Sequence, residues 1–401
     1  MRYVIIGASA AGQAAAETLR QWDPQGSITV ISDEAQPLYS RPLLTYLLSG
    51  EIRPEKVWLK GADYFQEWGF EARLGEEVVQ VVPADREVRL ASGRVCPYDR
   101  LLIASGARPK VPGIPGEDLE GVFTLRNLAD WRRLESGLEG VRQVVVVGAG
   151  AVGLKTADAL MRRGFEVTLL ARGAQPLSRM LDATAAAMLM DAVATMGIDL
   201  RCHSWPVALK GDGGRVKKLI LNSGEELPAQ AVLFSVGVTA NVDFLEGTGL
   251  GDPGGILVDR KLRSRDPRIF AAGDCCRPHH LLSPGQWPYH IWPAAVDQGR
   301  VAGANMGGGS RLYPGLLPQN SLSLRGFKII SGGLGPHDTK DCEIVAELDQ
   351  SRGHYRRLAY REGRLVGLTL VGAVAHAGIY FQLMAQGLPA PEPVTPGLLW
   401  G

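Results

Sequence analysis

Two glycine-rich hexapeptides are the residues of this chain whose types and spacing speak most directly to chemistry. They are Gly7-Ala8-Ser9-Ala10-Ala11-Gly12 and Gly148-Ala149-Gly150-Ala151-Val152-Gly153. Each follows an apolar run, Tyr3-Val4-Ile5-Ile6 in the first case and Val144-Val145-Val146-Val147 in the second. Strand, tight turn and helix in that order aim backbone N–H groups and a helix N-terminus at a pyrophosphate. One such turn is weak evidence, because ordinary strand–helix junctions are also glycine-rich. Two of them, each opening a βαβ unit, imply two bound dinucleotides and electron transfer between them. The first turn carries Ser9 where a glycine normally admits the pyrophosphate, and a serine is small enough to be tolerated there.

Acidic residues stand where such turns need them. Asp33 and Glu34 follow the second strand, about 20 residues past Gly12, where a carboxylate bonds a ribose hydroxyl. Asp274 ends the apolar run Ile269-Phe270-Ala271-Ala272-Gly273. The C-terminal end of a buried parallel strand is where α/β sheets bind ligands, and the alternative for Asp274 is an N-cap of the next helix. In the second unit the ribose acid should close the strand Val167–Leu170, but Ala171 and Arg172 stand there. Loss of the acid with gain of an arginine is the pattern that accommodates a 2′-phosphate. It favours NADPH and leaves NADH open.

The elements that must position these residues can be read along the chain. A helix over Ala10–Arg20 and a strand over Ser27–Ile31 complete the first βαβ unit. A short helix covers Leu43–Ser49, and Val78 to Leu90 alternates as a hairpin. Leu101–Pro109 reads as a strand ending in Ala104-Ser105-Gly106, and Pro112, Gly113, Pro115 and Gly116 mark a linker. The second unit spans Gln143–Leu170, and a β-rich segment runs to Ser235-Val236-Gly237. A helix is expected over Trp292–Met306. Antiparallel strands at Glu343–Glu347, His354–Arg361 and Arg364–Val371 follow, with Glu362-Gly363 as a turn. A helix near Ala375–Ala385 and an extended Pro-rich stretch, Leu388–Gly401, close the chain. The apolar end of that stretch, Leu398-Leu399-Trp400, is a docking candidate.

Composition narrows the classes. The formal charge of +1 gives no electrostatic case for nucleic acid or an anionic membrane. No apolar run approaches the ~18 residues of a membrane span. A strand at the very start leaves no room for a signal peptide, so a cytoplasmic protein is expected. The five cysteines, Cys96, Cys202, Cys275, Cys276 and Cys342, make neither a disulfide framework nor a C-x-x-C. His279, His280 and His290 lack the acid or cysteine that would complete a metal site.

Taken together, these segments resemble the FAD-dependent pyridine nucleotide–disulfide oxidoreductases, nearest the NADH:rubredoxin oxidoreductase and nitrite-reductase-type branch. The resemblance runs through Tyr3–Gly12, Tyr39-Ser40-Arg41-Pro42-Leu43-Leu44, Leu102–Pro109, Gly121–Arg126, Val147–Lys155, Pro267–Asp274, Trp292-Pro293-Ala294-Ala295 and Ala377-Gly378-Ile379-Tyr380. It implies an α/β fold of two Rossmann-like domains, binding FAD and NAD(P), with an α+β C-terminal interface domain. The implied division is FAD domain at 1–110 and 239–308, NAD(P)H domain at 111–238, and interface domain at 309–401. FAD would be held by Gly7, Ser9, Ala10, Ala11, Gly12, Asp33, Glu34, Arg41, Pro42, Val79, Ala104, Ser105, Gly106, Arg126, Gly273 and Asp274. NADH or NADPH would be held by Gly148, Gly150, Ala151, Val152, Gly153, Ala171, Arg172 and Gly237.

Departures from the family pattern sharpen the reading. Many relatives carry a redox cysteine in the loop or helix after the second strand, and residues 37–50 here contain none. Cys275 and Cys276 read as two small apolar residues, since a bridge between adjacent cysteines is strained. A lysine–glutamate pair of related enzymes falls in register on Tyr46 and Lys155. Lys155 can then supply a cation near the flavin N5–C4 edge, and Trp292 takes the position of an aromatic residue close to the flavin. With no in-chain acceptor of an electron pair, reduced flavin is expected to pass electrons singly to a rubredoxin, a ferredoxin or an iron–sulfur subunit, in a homodimer or a heteromeric complex. The alternatives are a small-molecule flavin oxidase or reductase acting on oxygen, nitrite or quinone, and a flavoprotein binding or assembly module.

Overall fold

A computed structural model describes residues 1–388, and the Pro-rich stretch beyond Leu388, with Leu398-Leu399-Trp400, lies outside the described residues. The chain divides into two compact units. The first comprises Met1–Pro42, Glu55–Arg108 and Val238–Leu316; the second comprises Leu43–Pro54, Pro109–Gly237 and Leu317–Gly401.

In the first unit a five-stranded sheet runs in the order Ile269–Ala271, Arg100–Ile103, Arg2–Ile6, Ser27–Ser32, Glu71–Leu74. All its neighbours are parallel. Its strands are apolar over successive residues because both faces are covered, so Val4, Ile5 and Ile6 are all buried. The helix Ala10–Trp22 packs along the helix Trp292–Met306 at very short range. A Cβ on Gly299 would sit 2.2 Å from Ala11 O, and one on Gly303 would sit 2.3 Å from Ala15 O. The Gly-x-x-x-Gly spacing therefore makes this helix pair, which holds the first glycine turn against the sheet.

The expected hairpin at Val78 to Leu90 is present and gains a third antiparallel strand, Val95–Pro97. The strand expected over Leu101–Pro109 is Arg100–Ile103, ended at Ala104-Ser105-Gly106 as read, and its extension to Pro109 is corrected to a separate short strand, Ala107–Pro109. Gly106 adopts φ +70° between them, which ends the extended backbone, and the second piece pairs with Val238–Ala240.

In the second unit a parallel five-stranded sheet runs Asp199–Arg201, Glu166–Leu170, Gln143–Val147, Ala231–Phe234, Val122–Phe123. A three-stranded antiparallel sheet, Pro206–Asp212, Arg215–Leu221 and Glu226–Pro228, accompanies it. The C-terminal part is a five-stranded antiparallel sheet ordered Gln319–Leu324, Phe327–Gly333, Arg364–Val371, His354–Arg361, Glu343–Asp349, with the helix Ala377–Gln386 packed on it. Its last three strands match the sequence reading. The expected turn has Glu362 at φ +51° and Gly363 at φ +70°, as a two-residue hairpin of the I′ type needs. Its first two strands went unread because Gln319-Asn320-Ser321 is polar. Among the described residues no helix is long and apolar enough to cross a membrane.

Candidate active site

The two glycine turns are built alike. Gly7 has φ +110° and Gly148 has φ +109°, backbone that side-chain-bearing residues rarely adopt. A Cβ on Gly7 would lie 2.1 Å from Ala104 O, and one on Gly148 would lie 2.3 Å from Ser235 O. Gly12 and Gly153 repeat the match, each with a hypothetical Cβ 1.8 Å from the carbonyl oxygen of the first glycine. These four glycines are demanded by protein packing. Gly150 differs: a Cβ there would meet nothing within 4 Å. Open space at a glycine that caps a helix is the cradle a ligand's phosphates would fill. Ser9 takes the equivalent place in the first turn, and neither Ser9 nor Gly150 caps its helix with a side chain. The leading N–H groups of both helices are thus left for an anion.

Around the first turn Ser9, Glu34, Tyr39 and Arg41 come together within one unit, whereas Arg126, expected in the same set, belongs to the other unit. Glu34 forms an ion pair with Arg41 and accepts a 2.5 Å hydrogen bond from Tyr39. Arg41 lies over the Tyr39 ring at 5.4 Å and its Nε donates to Ser9 Oγ at 3.4 Å. The Tyr39-Ser40-Arg41-Pro42 loop therefore orients the acid and joins it to the turn. Glu34 is the anchored carboxylate and Asp33 is exposed. Val79 is half exposed on its strand, just past Glu76, whose N–H donates to Ser32 O. Ser105 Oγ donates to Asn241 O at 2.6 Å, and Asn241 Nδ2 returns a bond to Ser105 O. That exchange fixes the Ala104-Ser105-Gly106 break at the end of its strand.

Gly273 donates its N–H to the buried Gln298 Oε1 at 2.7 Å. Gln298, inside the helix Trp292–Met306, thus fixes the backbone just before Asp274. The capping alternative for Asp274 is removed, because the next helix starts at Trp292 with Ile291 in the cap position. Cys275 and Cys276 follow it, fully buried. Cys275 Sγ donates to Ile103 O at 3.3 Å and Cys276 Sγ to Gln298 Oε1 at 3.1 Å, and burial pushes both thiols up. They are packing residues with satisfied S–H groups. Native-state labelling with an aromatic disulfide at pH 8 is therefore expected to modify at most the two partly exposed cysteines, Cys202 and Cys342, quickly; fast reaction at Cys275 or Cys276 would contradict this packing. Trp292 opens its helix, partly buried against the core of the first unit. Among the described residues no group of three His, Cys, Asp or Glu side chains is arranged to hold a metal.

In the second unit, Ala171 is buried at the strand end and Arg172 is exposed, with its guanidinium 5.5 Å from the Trp205 ring centroid. Val152 is half exposed and Ala151 partly buried in the first turn of the helix. Gly237 has φ +105° and open space at its Cβ position. Arg126 stands at the start of the helix Leu128–Gly137, its N–H donating to Asp130 Oδ2 at 2.8 Å. Tyr46 and Lys155, placed only by register in the sequence, meet: Lys155 Nζ donates to Tyr46 Oη at 2.7 Å and lies 4.3 Å from the ring centroid. The helix Leu44–Leu48, which carries Tyr46, packs on Ala151–Arg162, which carries Lys155.

One prediction follows from the Glu34–Arg41–Tyr39 arrangement. Charge-assisted hydrogen bonds contribute about 1.5–3 kcal/mol each. Glu34→Gln is expected to weaken FAD binding about 10- to 100-fold, read as flavin fluorescence released on dilution. FAD retention equal to that of the parent protein would remove Glu34 from the binding set.

Comparisons with known proteins were made against this geometry. The family model described as pyridine nucleotide-disulphide oxidoreductase matches residues 1–299. The subunit epsilon of NADH-dependent phenylglyoxylate dehydrogenase from Aromatoleum evansii is 32% identical over 389 residues, covering 96% of this chain and 91% of that protein. Rhodocoxin reductase from Rhodococcus erythropolis is 33% identical over 315 residues, covering 78% of this chain and 74% of its own length. Among solved structures, the ferredoxin reductase for the CYP199A2 system from Rhodopseudomonas palustris superposes with a TM-score of 0.88 at 27% identity, over 96% of this chain and 94% of that one. Two matched turns and a family match that spans both of them lead to one conclusion: the chain belongs to the pyridine nucleotide-disulphide oxidoreductase family and is an NAD(P)H-dependent flavoprotein oxidoreductase that binds FAD.

Proposed function

We propose that this protein moves electrons between a nicotinamide nucleotide and a one-electron partner of the rubredoxin, ferredoxin or iron–sulfur type, as a free reductase or as the flavin subunit of a larger redox complex. The observation that carries this reading is the pairing of two nucleotide cradles with Cys275 and Cys276 thiols that are buried and satisfied. No cysteine stands in residues 37–50 to accept an electron pair, so electrons must leave the chain. The names of the relatives support the same class: one is a subunit of a dehydrogenase and two are reductases of small electron carriers, by their names. The protein is read as cytoplasmic, and the division at 110, 238 and 308 is retained as the functional assignment of its segments.

When bound, FAD supplies the conversion between the two-electron chemistry of nicotinamide and the one-electron chemistry of an iron–sulfur partner. The chain's residues bind and orient. Gly7, Ser9, Ala10, Ala11 and Gly12 receive the FAD pyrophosphate, with Ala104, Ser105, Gly106, Gly273 and Asp274 at neighbouring strand ends. Glu34, positioned by Arg41 and Tyr39, takes a ribose hydroxyl; Asp33, Pro42, Val79 and Arg126 complete the proposed set. Gly148, Gly150, Ala151, Val152, Gly153 and Gly237 receive the nicotinamide nucleotide, NADH or NADPH, and Ala171 with Arg172 favours NADPH. Lys155, held by Tyr46, would supply positive charge toward the bound flavin, and Trp292 would be the aromatic residue beside it.

Anaerobic stopped-flow mixing with NADH and NADPH, followed by admission of oxygen, tests this reading. Rapid bleaching of the flavin, slow reoxidation by oxygen and rapid reoxidation by a one-electron acceptor are expected. Rapid reoxidation by oxygen would make the protein an oxidase, and absence of bleaching with both nucleotides would remove the catalytic reading.

A further inference from the structure

Lys155 has no carboxylate partner among the described residues; it donates to a neutral phenol. What holds that phenol in place is a line of charges on one helix face. Lys155, Asp158 and Arg162 are spaced i, i+3 and i+7 on the helix Ala151–Arg162, so they share a face. Asp158 is buried, yet its carboxylate is fully engaged: Arg325 Nε donates to Oδ1 at 2.8 Å and Arg162 Nε to Oδ2 at 3.1 Å. Arg162 also pairs with Glu51 at 3.3 Å. Glu51 lies on the segment that carries Tyr46: its N–H donates to Tyr46 O at 3.1 Å, and Ser49 Oγ sits 2.9 Å from Tyr46 O and 3.0 Å from Glu51 Oε1. Tyr46, Lys155, Asp158, Arg162 and Arg325 line one cavity of about 240 Å³.

Arg325 reaches this cavity from the turn between Gln319–Leu324 and Phe327–Gly333. It adopts φ +42° there, a backbone that costs a non-glycine residue energy and is kept only where the surroundings over-determine it. Without the Asp158 charge, Arg162 and Arg325 would stand beside Lys155 with Glu51 as the remaining anion of the group. Arg162 would lose the carboxylate that orients its guanidinium, and its contact with Glu51, the anchor of the Tyr46 segment, would go with it.

We propose that Asp158, clamped by Arg325, is a positioning residue for the Tyr46–Lys155 pair. The proposal rests on the reading that this pair serves the flavin. It makes the C-terminal sheet, through one arginine, part of the device that sets flavin electrostatics.

The test is the flavin midpoint potential of the FAD-loaded full chain, measured spectroelectrochemically, because the sign discriminates. Simple removal of a nearby negative charge raises the potential; loss of the Lys155 placement lowers it. Lys155→Met is expected to lower the reduced-to-oxidised ratio at a fixed potential about tenfold, or about 30 mV for a two-electron couple. Asp158→Asn is expected to lower it in the same direction, Asp158→Glu to restore it, and Asp158→Asn in a Tyr46→Phe background to lower it no further, leaving only the rise from simple charge removal. If Asp158→Asn does not accumulate, Arg325→Gln, on a partly exposed side chain, is read through its cycle with Tyr46→Phe, since loss of its own charge also lowers the potential: a smaller lowering in that background is expected, and an equal one overturns the positioning role. A raised or unchanged potential in Asp158→Asn, beside a lowered one in Lys155→Met, overturns the positioning role and leaves the reading of the pair intact. An unchanged potential in Lys155→Met overturns that reading and the proposal with it.

Discussion

Replacing Gly153 with alanine is expected to slow reduction of the bound flavin by NAD(P)H at least about 100-fold, a loss of roughly 2.7 kcal/mol, while leaving the FAD content of the protein unchanged. The added Cβ would fall 1.8 Å from Gly148 O, a backbone atom that cannot swing aside. The strand Gln143–Val147 and the helix Ala151–Arg162 would have to separate, and the N–H groups of the turn would lose their common aim. FAD binding is unaffected because the first turn belongs to the other compact unit. Gly150→Ala is the informative control. Its position has φ −78° and no neighbour within 4 Å, so folding stability is expected to stay within about 0.5 kcal/mol. Nucleotide affinity is expected to fall nonetheless, about tenfold, because the space it fills is the ligand's. Thermal denaturation and single-turnover flavin reduction separate the two effects. Equal stability and equal reduction in Gly153→Ala would show that the turn does not bind the nucleotide.

Arg172→Ala is expected to raise the KM for NADPH about 10- to 100-fold, the span of one charge-assisted bond to a phosphate, with the KM for NADH changed by less than about twofold. The buried Ala171 leaves the strand end without the carboxylate that a ribose 2′-hydroxyl requires and that a 2′-phosphate would repel. Arg172 lies over Trp205, which limits the orientations of its guanidinium. A guanidinium held flat presents paired donors to phosphate oxygens, so Arg172→Lys is expected to recover only part of the loss. Arg172→Glu should invert the preference. Parallel losses for both nucleotides would assign Arg172 to the pyrophosphate or to structure, and no loss for NADPH would make it a solvated residue.

How much of this was legible in the chain itself depends on the range of the interactions involved. Both glycine turns, the acid after the second strand and the helix Trp292–Met306 could be read directly. They are encoded by local patterns: apolar runs, turn residues at fixed offsets and a helix-forming sequence. The separate short strand Ala107–Pro109 was not read, because its order comes from pairing with Val238–Ala240 rather than from its own pattern. The polar strand Gln319–Leu324 was missed because its order comes from the six-residue pairing with Phe327–Gly333 rather than from its own alternation. Gln298 looks like any helical glutamine until Gly273 and Cys276 are seen to share its oxygen.

By itself, then, the sequence determined the class of chemistry. Two pyrophosphate-binding turns, an arginine in place of a ribose acid and the absence of cysteine from residues 37–50 are statements about residue type and spacing, and they do not wait on a fold. Tertiary structure decided which of the remaining charged and polar residues act together. Tyr46 and Lys155 are separated by 109 positions, and Asp158 and Arg325 by 167. Only the packing of the Leu44–Leu48 helix and of the C-terminal turn on the helix Ala151–Arg162 brings those groups within hydrogen-bonding reach. The physical reason is that periodicity and turn chemistry report on neighbours in the chain, whereas a buried carboxylate is stable only where distant donors converge on it, and no local pattern records where they come from.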